Sequence, residues 1–176
     1  MQITLIRHTS VVLLSGMIYG QTNVSLNNTF EQECKNIMQE IPNNFDRVYS
    51  SPLIRCKLLA QKISSETIFD NRLKELNFGD WEQKYWDDIC QTPEAQTWFT
   101  DYLNTPCPAG ESYQQMYNRV QSFYKEILQS GHQNICIITH GGPIRAFISI
   151  IEKITPQKAF DRKINYGEII RYIIKN

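Results

Sequence analysis

The sequence predicts an α/β sandwich with a mainly parallel central sheet. Short apolar stretches that suit buried strands alternate with longer segments in which apolar residues recur every three or four positions, as they do on one face of a helix. This alternation is typical of parallel sheets joined by helical crossovers. With 176 residues and 41% hydrophobic composition, residues 1–176 are expected to form a single domain with a core of its own.

The first elements are a strand and a helix separated by a loop. Residues 2–6 form an apolar run long enough for one buried strand, and residues 10–28 show little helical period. The next apolar residues recur at helical spacing, and they are Phe30, Cys34, Ile37, Met38 and Ile41. We expect Thr29 and Gln32 to form a capping box at the start of this helix.

A second strand is predicted over residues 46–50, with Ser51 as the N-cap and Pro52 as the first residue of the next helix. A third strand is expected at residues 67–70. The segment from residue 73 to 108 has the weakest periodicity, and we expect two short helices there, at residues 85–90 and 94–103.

The last third of the chain has the clearest pattern. A long helix is expected from about Ser112 to Leu128, with a capping box between Ser112 and Gln115. Residues 134–139 form the most strand-like run of the sequence, and a helix opens at the residues that follow it. Residues 168–174 are expected to complete the sheet.

Charge and cysteine content argue against several classes of protein. Lys and Arg number 18, as do Asp and Glu, so no overall field attracts nucleic acid or a membrane. The five cysteines are scattered without the spacing of a zinc site or a disulfide framework. Together with the absence of a signal sequence, this predicts a cytoplasmic protein.

Three predicted strand ends carry the residues of a candidate site. Arg7 and His8 follow the first strand, Arg55 follows the second, and His140 with Gly141 follows the strand at residues 134–139. The carboxyl ends of parallel strands meet at one edge of a sheet, so these residues are expected to lie together. Two guanidinium groups and a helix N-terminus suit a phosphate dianion, and a neutral histidine there can attack phosphorus.

Loss of an alkoxide from phosphorus also needs a proton donor. The turn around residues 72–82 supplies three acids beside aromatic residues, namely Glu75, Asp80 and Glu82. Apolar neighbours can raise the pKa of a carboxyl group towards neutrality, as a general acid requires. The physical pattern does not choose among the three.

Four short blocks, "LIRHT", "SSPLIRC", "LKELNFGDWE" and "IITHGG", together resemble the signature motifs of the histidine phosphatase superfamily, also called the phosphoglycerate-mutase-like family. The resemblance implies a three-layer α/β/α sandwich and a reaction that needs no metal or other cofactor. It also implies that His8 is phosphorylated, that Arg7 and Arg55 hold the phosphate, and that His140 is the second histidine. Among the three acids it selects Glu75 as the proton donor.

The sequence departs from the family pattern directly after His8. Thr9 and Ser10 replace the usual Gly-Glu, and Leu14 stands where mutases have an asparagine that contacts phosphate. The departure implies a phosphatase that releases phosphate to water rather than a mutase.

Within the superfamily, "IRHTSV", "YGQTNVSL", "FGDWE" and "PAGES" are most similar to the α-ribazole phosphatase family, which implies α-ribazole 5′-phosphate as substrate and a role in the nucleotide loop of cobalamin. Candidate substrate contacts are Tyr19, Gln21, Thr22, Trp81 and Glu82. The aromatic residues among them could equally be core residues. The alternatives are a phosphatase for sugar phosphates or phosphoproteins, a phosphoglycerate mutase, and a non-catalytic module that binds a phosphorylated ligand.

Overall fold

A five-stranded sheet forms the centre of the computed structural model, which describes residues 1–175. In chain order the strands are β1 (Gln2–Arg7), β2 (Arg47–Ser50), β3 (Ile68–Phe69), β4 (Asn134–Thr139) and β5 (Ile169–Ile173). Their spatial order is β3-β2-β4-β1-β5, and only the pairing of β5 with β1 is antiparallel. The predicted mainly parallel sheet is confirmed.

Seven α-helices and two 3₁₀ helices accompany these strands within the described residues. The α-helices are α1 (Phe30–Glu40), α2 (Ile54–Ile63), α3 (Trp86–Ile89), α4 (Pro93–Thr100), α5 (Tyr113–Gln129), α6 (Gly141–Glu152) and α7 (Pro156–Phe160). The 3₁₀ helices are Asn71–Leu73 and Gly79–Trp81. None of these helices is long and apolar enough to cross a membrane.

Alternate side chains of the central strands build two separate cores. Leu5 and Ile137 belong to a cluster that also contains residues of α5 and α6, such as Phe123 and Phe147. The neighbouring strand residue Ile138 points the other way, into a cluster with residues of α1 and α2. The sheet is therefore the middle of three layers, and the expected α/β/α sandwich is confirmed.

Only one of the two predicted capping boxes forms. At the start of α5, the Gln115 N–H donates to Ser112 Oγ at 3.2 Å, and the Ser112 N–H donates to Gln115 Oε1 at 2.7 Å. The box predicted for Thr29 and Gln32 is wrong, because the Thr29 hydroxyl donates instead to the Glu33 carboxylate at 2.5 Å.

The predicted start of α2 is also wrong, since the helix begins at Ile54 with Leu53 as its N-cap. Ser51 stays extended because its N–H donates to the carbonyl of Ile138 in β4 at 3.0 Å. Its hydroxyl lies 2.8 Å from His140 Nε2. Ser51 therefore continues the edge of the sheet and contributes to the site instead of capping a helix.

Candidate active site

The carboxyl ends of β1, β2 and β4 bring the predicted site residues together. Arg7 is in register with Thr139, so the residues that follow these two, His8 and His140, leave adjacent strands side by side. The His8 N–H continues the ladder by donating to the Thr139 carbonyl at 3.1 Å. The two imidazole rings meet edge to face with their centroids 5.1 Å apart.

His8 is buried and held in one orientation. Its Nδ1 lies 2.7 Å from the carbonyl oxygen of Thr9, which can only accept a hydrogen bond, so Nδ1 carries the proton. The lone pair of the neutral ring is then on Nε2. Burial, followed by the positive charges of Arg55 and Arg7, holds the pKa of His8 well below its usual value, although the bond to Thr9 opposes this. His8 is thus a neutral imidazole with a free nitrogen.

His140 is fixed in the opposite tautomer. Arg55 donates from Nε to His140 Nδ1 at 3.2 Å, and because a guanidinium can only donate, Nδ1 must accept. His140 Nε2 therefore carries the proton that it donates to Ser51 Oγ at 2.8 Å. Burial and the charge of Arg55 keep the pKa of His140 well below its usual value.

The two arginines of the site are tied to backbone carbonyls rather than to carboxylates. Arg55 is fully buried and donates to the carbonyls of Thr22 at 3.0 Å and Gly20 at 2.6 Å. Arg7 donates to the Ile164 carbonyl at 2.6 Å, and its buried Nε has no partner within residues 1–175. Neither arginine forms an ion pair in this part of the chain. Their charges are available to an anion.

The N-terminus of α6 joins the site to Glu75. The Gly142 N–H donates to Glu75 Oε1 at 3.1 Å, and the Leu76 N–H donates to the same oxygen at 2.9 Å. A Cβ atom on Gly142 would collide with that carboxylate, so glycine is required for the close approach. The Glu75 carboxylate therefore lies at the N-terminus of α6, where it is bonded to the residue that follows Gly141.

The other two candidate acids lie in different surroundings. Glu82 accepts hydrogen bonds from the N–H groups of Gln21 and Thr22, both at 2.7 Å, and from that of Phe78 at 3.2 Å. It thereby fastens the loop that carries Tyr19 to the turn at Phe78. Asp80 is exposed.

The five candidate substrate contacts do not all lie beside the histidines and arginines of the site. The Tyr19 ring packs on the Arg55 guanidinium, whose Cζ lies 4.9 Å from the centroid of that ring. Gln21 donates from its side chain to the Glu75 carbonyl at 3.0 Å, and the Thr22 hydroxyl donates to Glu82 at 2.5 Å. Trp81 is buried and packs edge to face on Trp98, with the centroids 5.7 Å apart.

Sequence reasoning missed Tyr166, which covers the pocket from the loop before β5. The Arg7 guanidinium lies 4.0 Å from the centroid of its ring, and the His8 ring centroid is 5.4 Å away. The Tyr166 hydroxyl is 3.2 Å from that of Tyr19, so the two tyrosines bridge the pocket. The signal in the sequence was a tyrosine next to a glycine shortly before the final strand, and this pair belongs to no motif that we used.

Arg145 was also missed. It lies one helical turn after Gly141, and its Nη1 is 3.2 Å from the point where a Cβ of Gly141 would be, while Arg7 Cζ is 3.9 Å from that point. The buried Nε of Arg145 has no partner among the described residues. Burial lowers the pKa of Arg145, Arg7 adds to this, and Glu75 opposes it. The spacing of four residues from Gly141 was the signal that could have found it.

A metal has no evident place in this arrangement. Within residues 1–175, no group of three or more His, Cys, Asp and Glu side chains is arranged to hold a metal ion. The arrangement instead combines an oriented neutral histidine, guanidinium groups that have no carboxylate partner among the described residues, and a carboxyl group at a helix N-terminus. These groups suit the binding of a phosphate and an attack on it.

The family model of the histidine phosphatase superfamily, branch 1, matches residues 3–176. The chain belongs to this superfamily. A phosphoglycerate mutase dependent on 2,3-bisphosphoglycerate, from Brucella melitensis, is 30% identical over 141 residues, which cover 73% of this chain and 68% of the mutase. This histidine phosphatase family member is thus related to a mutase at the level of sequence.

A second relative, from Hydrogenobacter thermophilus, is provisionally named phosphoserine phosphatase 2. It is 30% identical over 112 residues, which are 60% of this chain, and the chain spans 55% of the length of that relative. Among solved structures, the α-ribazole phosphatase from Shigella flexneri matches with a TM-score of 0.91 at 23% identity, covering 99% of this chain and 91% of that one. At this identity the match shows that the histidine phosphatase family member shares the fold of that enzyme.

Proposed function

We propose that this protein is a metal-independent phosphomonoesterase that works through a phosphohistidine on His8. The observation that carries the proposal is the bond from His8 Nδ1 to the Thr9 carbonyl, which leaves Nε2 unprotonated beside unpaired guanidinium groups. A nitrogen lone pair oriented by the backbone is what attack on phosphorus requires.

In the first step, the His8 Nε2 lone pair attacks phosphorus and forms an N–P bond while the bond from phosphorus to the ester oxygen breaks. Glu75 gives its proton to the departing oxygen. In the second step, water attacks phosphorus and gives a proton to the Glu75 carboxylate, and the N–P bond breaks to release inorganic phosphate. Arg7 and Arg55, with the Gly141 N–H, hold the charge on the phosphoryl oxygens in both steps, and His140 joins them when its Nε2–H exchanges Ser51 Oγ for a phosphoryl oxygen.

Residues after His8 support a phosphatase over a mutase. Ser10 is occupied by Glu33, which accepts from its N–H at 2.7 Å and from its hydroxyl at 2.5 Å. Leu14, at the position where mutases use an asparagine, is 61% exposed and offers no hydrogen bond from its side chain. A mutase must retain its phosphate for transfer, and these positions give it no polar side chain directed to phosphate.

The substrate that we propose is α-ribazole 5′-phosphate. It is supported by the motif similarity in four blocks and by the shared fold with the Shigella flexneri enzyme. The second candidate is a phosphatase for sugar phosphates or phosphoproteins. The name of the Hydrogenobacter thermophilus relative adds phosphoserine to the candidate substrates of such an enzyme. We further infer that residues 1–176 form one domain and that it works in the cytoplasm, which the five free cysteines support.

The intermediate is tested by mixing the protein with a ³²P-labelled phosphomonoester and quenching in alkali, where phosphohistidine survives. The wild type is expected to retain label, and His8→Ala is expected to retain none and to lose activity by more than about 1,000-fold. Hydrolysis by His8→Ala at the wild-type rate would overturn the mechanism. The ratio of kcat/KM for α-ribazole 5′-phosphate to that for ribose 5-phosphate, phosphoserine and a phosphohistidine peptide tests the substrate.

A further inference from the structure

A small cavity lies between Glu75 and a set of aromatic and apolar side chains. Its volume is about 130 Å³, and it is lined by Met17, Ile18, Tyr19, Gly20, Glu75, Phe78 and Trp86. Phe78 and Trp86 meet edge to face with their centroids 5.7 Å apart. The cavity therefore has one carboxyl group in a wall made mainly of aromatic and apolar side chains.

Two of the lining residues connect this cavity to the phosphate pocket. Glu75 accepts the N–H of Gly142 beside the first residue of α6, and Tyr19 packs on the guanidinium of Arg55. The bond between Tyr19 and Tyr166 forms the rim on the side of His8. The cavity and the phosphate pocket thus share Tyr19 and Glu75 as wall residues, so the cavity is the neighbouring space for a group attached to a phosphate held by Arg55.

Hydrogen bonds and close packing at Glu82 fasten two of the loops that line the cavity. Glu82 accepts hydrogen bonds from the N–H of Phe78, which lines the cavity, and from the N–H of Gln21, which follows the lining residue Gly20 in a different loop. Gly20, at φ +38°, packs so closely on Glu82 that a Cβ atom would collide with it. Loops fastened in this way cannot readily widen, so the cavity can discriminate by size.

We propose that this cavity is the leaving-group subsite and that it accepts a single five- or six-membered ring at the ester oxygen while excluding a fused second ring there. The inference rests on the proposed function, which gives Glu75 its role at the ester oxygen. The volume supports the size limit, since an apolar cavity of about 150 Å³ is known to take one benzene. Larger parts of a substrate extend past the Tyr19 rim.

A larger cavity, which Tyr166 also lines, is the alternative binding site for the leaving group. It has about 330 Å³ and is lined by Ser10, Glu33, Asn36, Ile37, Glu40, Tyr166 and Gly167. Glu75 does not line it, and Glu33 is already bonded to Ser10 and Thr29. A leaving group bound there would lie away from Glu75, the carboxyl group to which the proposed function assigns the ester oxygen.

Phosphonates test the subsite without any dependence on hydrolysis. Binding of methyl-, phenyl- and 1-naphthylphosphonate is measured by calorimetry on the wild type, Met17→Trp, Met17→Ala and Asn36→Trp. In the wild type, phenylphosphonate is expected to bind about tenfold to a hundredfold more tightly than methylphosphonate, because binding removes the apolar surface of the phenyl ring from water. 1-Naphthylphosphonate is expected to bind no better than the methyl compound.

Met17→Trp fills the cavity and is expected to remove the preference for phenyl, while Met17→Ala is expected to admit naphthyl. Asn36→Trp fills the competing cavity and is expected to change neither ratio. Equal binding of methyl- and phenylphosphonate by the wild type, or loss of the phenyl preference in Asn36→Trp alone, would overturn the proposal. Because these are binding measurements, they fail separately from the phosphohistidine test, which addresses the proposed function.

Discussion

Arg55 Nε donates to His140 Nδ1 at 3.2 Å, and this single bond decides which nitrogen of His140 carries a proton. The other nitrogens of Arg55 bond the carbonyls of Gly20 and Thr22, so one guanidinium orients both a histidine and the loop of Tyr19. A change at Arg55 is therefore expected to disturb catalysis and the cavity wall together.

Replacing Arg55 by lysine keeps the charge and removes the planar fork of donors. We expect Arg55→Lys to lower kcat/KM by about 100-fold and Arg55→Gln to lower it further, because the charge is then lost as well. In the wild type, ¹⁵N NMR of the histidine side chains should show His140 protonated at Nε2. Wild-type activity in Arg55→Lys would show that the fork is not needed.

The role of Glu75 predicts a dependence on the leaving group. Glu75→Gln is expected to slow the hydrolysis of an alkyl phosphate by about 100-fold or more, and that of p-nitrophenyl phosphate much less, because nitrophenolate departs without a proton. Asp80→Asn, an exposed acid in the same turn, serves as the matched control. An equal loss on both substrates would assign Glu75 to binding rather than to proton transfer.

The two buried histidines predict that the fold is weakened by acid. Their pKa values are lowered in the folded state, chiefly by burial, so below about pH 6.5 the unfolded chain binds protons that the folded chain does not. The free energy of unfolding is expected to fall by about 1.4 kcal/mol per pH unit for each histidine below that pH. Urea denaturation between pH 8 and pH 5 measures this slope, and His8→Gln should reduce it.

Replacement of Arg145 is expected to stabilise the fold and to weaken the binding of phosphate. Its buried Nε has no partner in the described part of the chain, and it shares the surface of Gly141 with Arg7. Arg145→Met is expected to raise the free energy of unfolding by about 1 kcal/mol and to weaken inhibition by inorganic phosphate by about tenfold. Arg47→Met, at the opposite end of β2, is the control and should change neither the stability nor the inhibition in this way. Unchanged phosphate inhibition in Arg145→Met would separate Arg145 from the site.

The sequence was sufficient for the elements whose pattern is set locally. Residues 135–138 of β4 form an unbroken apolar run, and α5 combines a helical period with the box at Ser112, so both elements agree with the prediction. The residues that end parallel strands, including His8 and His140, could be placed together because strand ends share one edge.

Features that depend on distant partners could not be predicted in the same way. Ser51 does not cap α2 because β4 and His140 compete for its backbone and hydroxyl, and nothing near Ser51 in the sequence shows this. Tyr166 reaches the site only because β5 pairs antiparallel with β1. Both outcomes depend on pairings between strands that are far apart along the chain.

The bond from Arg7 to the Ile164 carbonyl, which spans 157 positions of sequence, has a consequence for synthesis. A growing chain carries His8 long before it carries β5, and until Ile164 and Tyr166 have left the ribosome Arg7 has neither the one to orient it nor the other to cover it. Since pairing between such distant segments forms late in folding, a nascent chain that does not yet contain β5 is expected to have little affinity for cellular phosphate esters. Competence to bind phosphate is thus acquired only after the segment from Ile164 to β5 has been synthesised and has paired with β1.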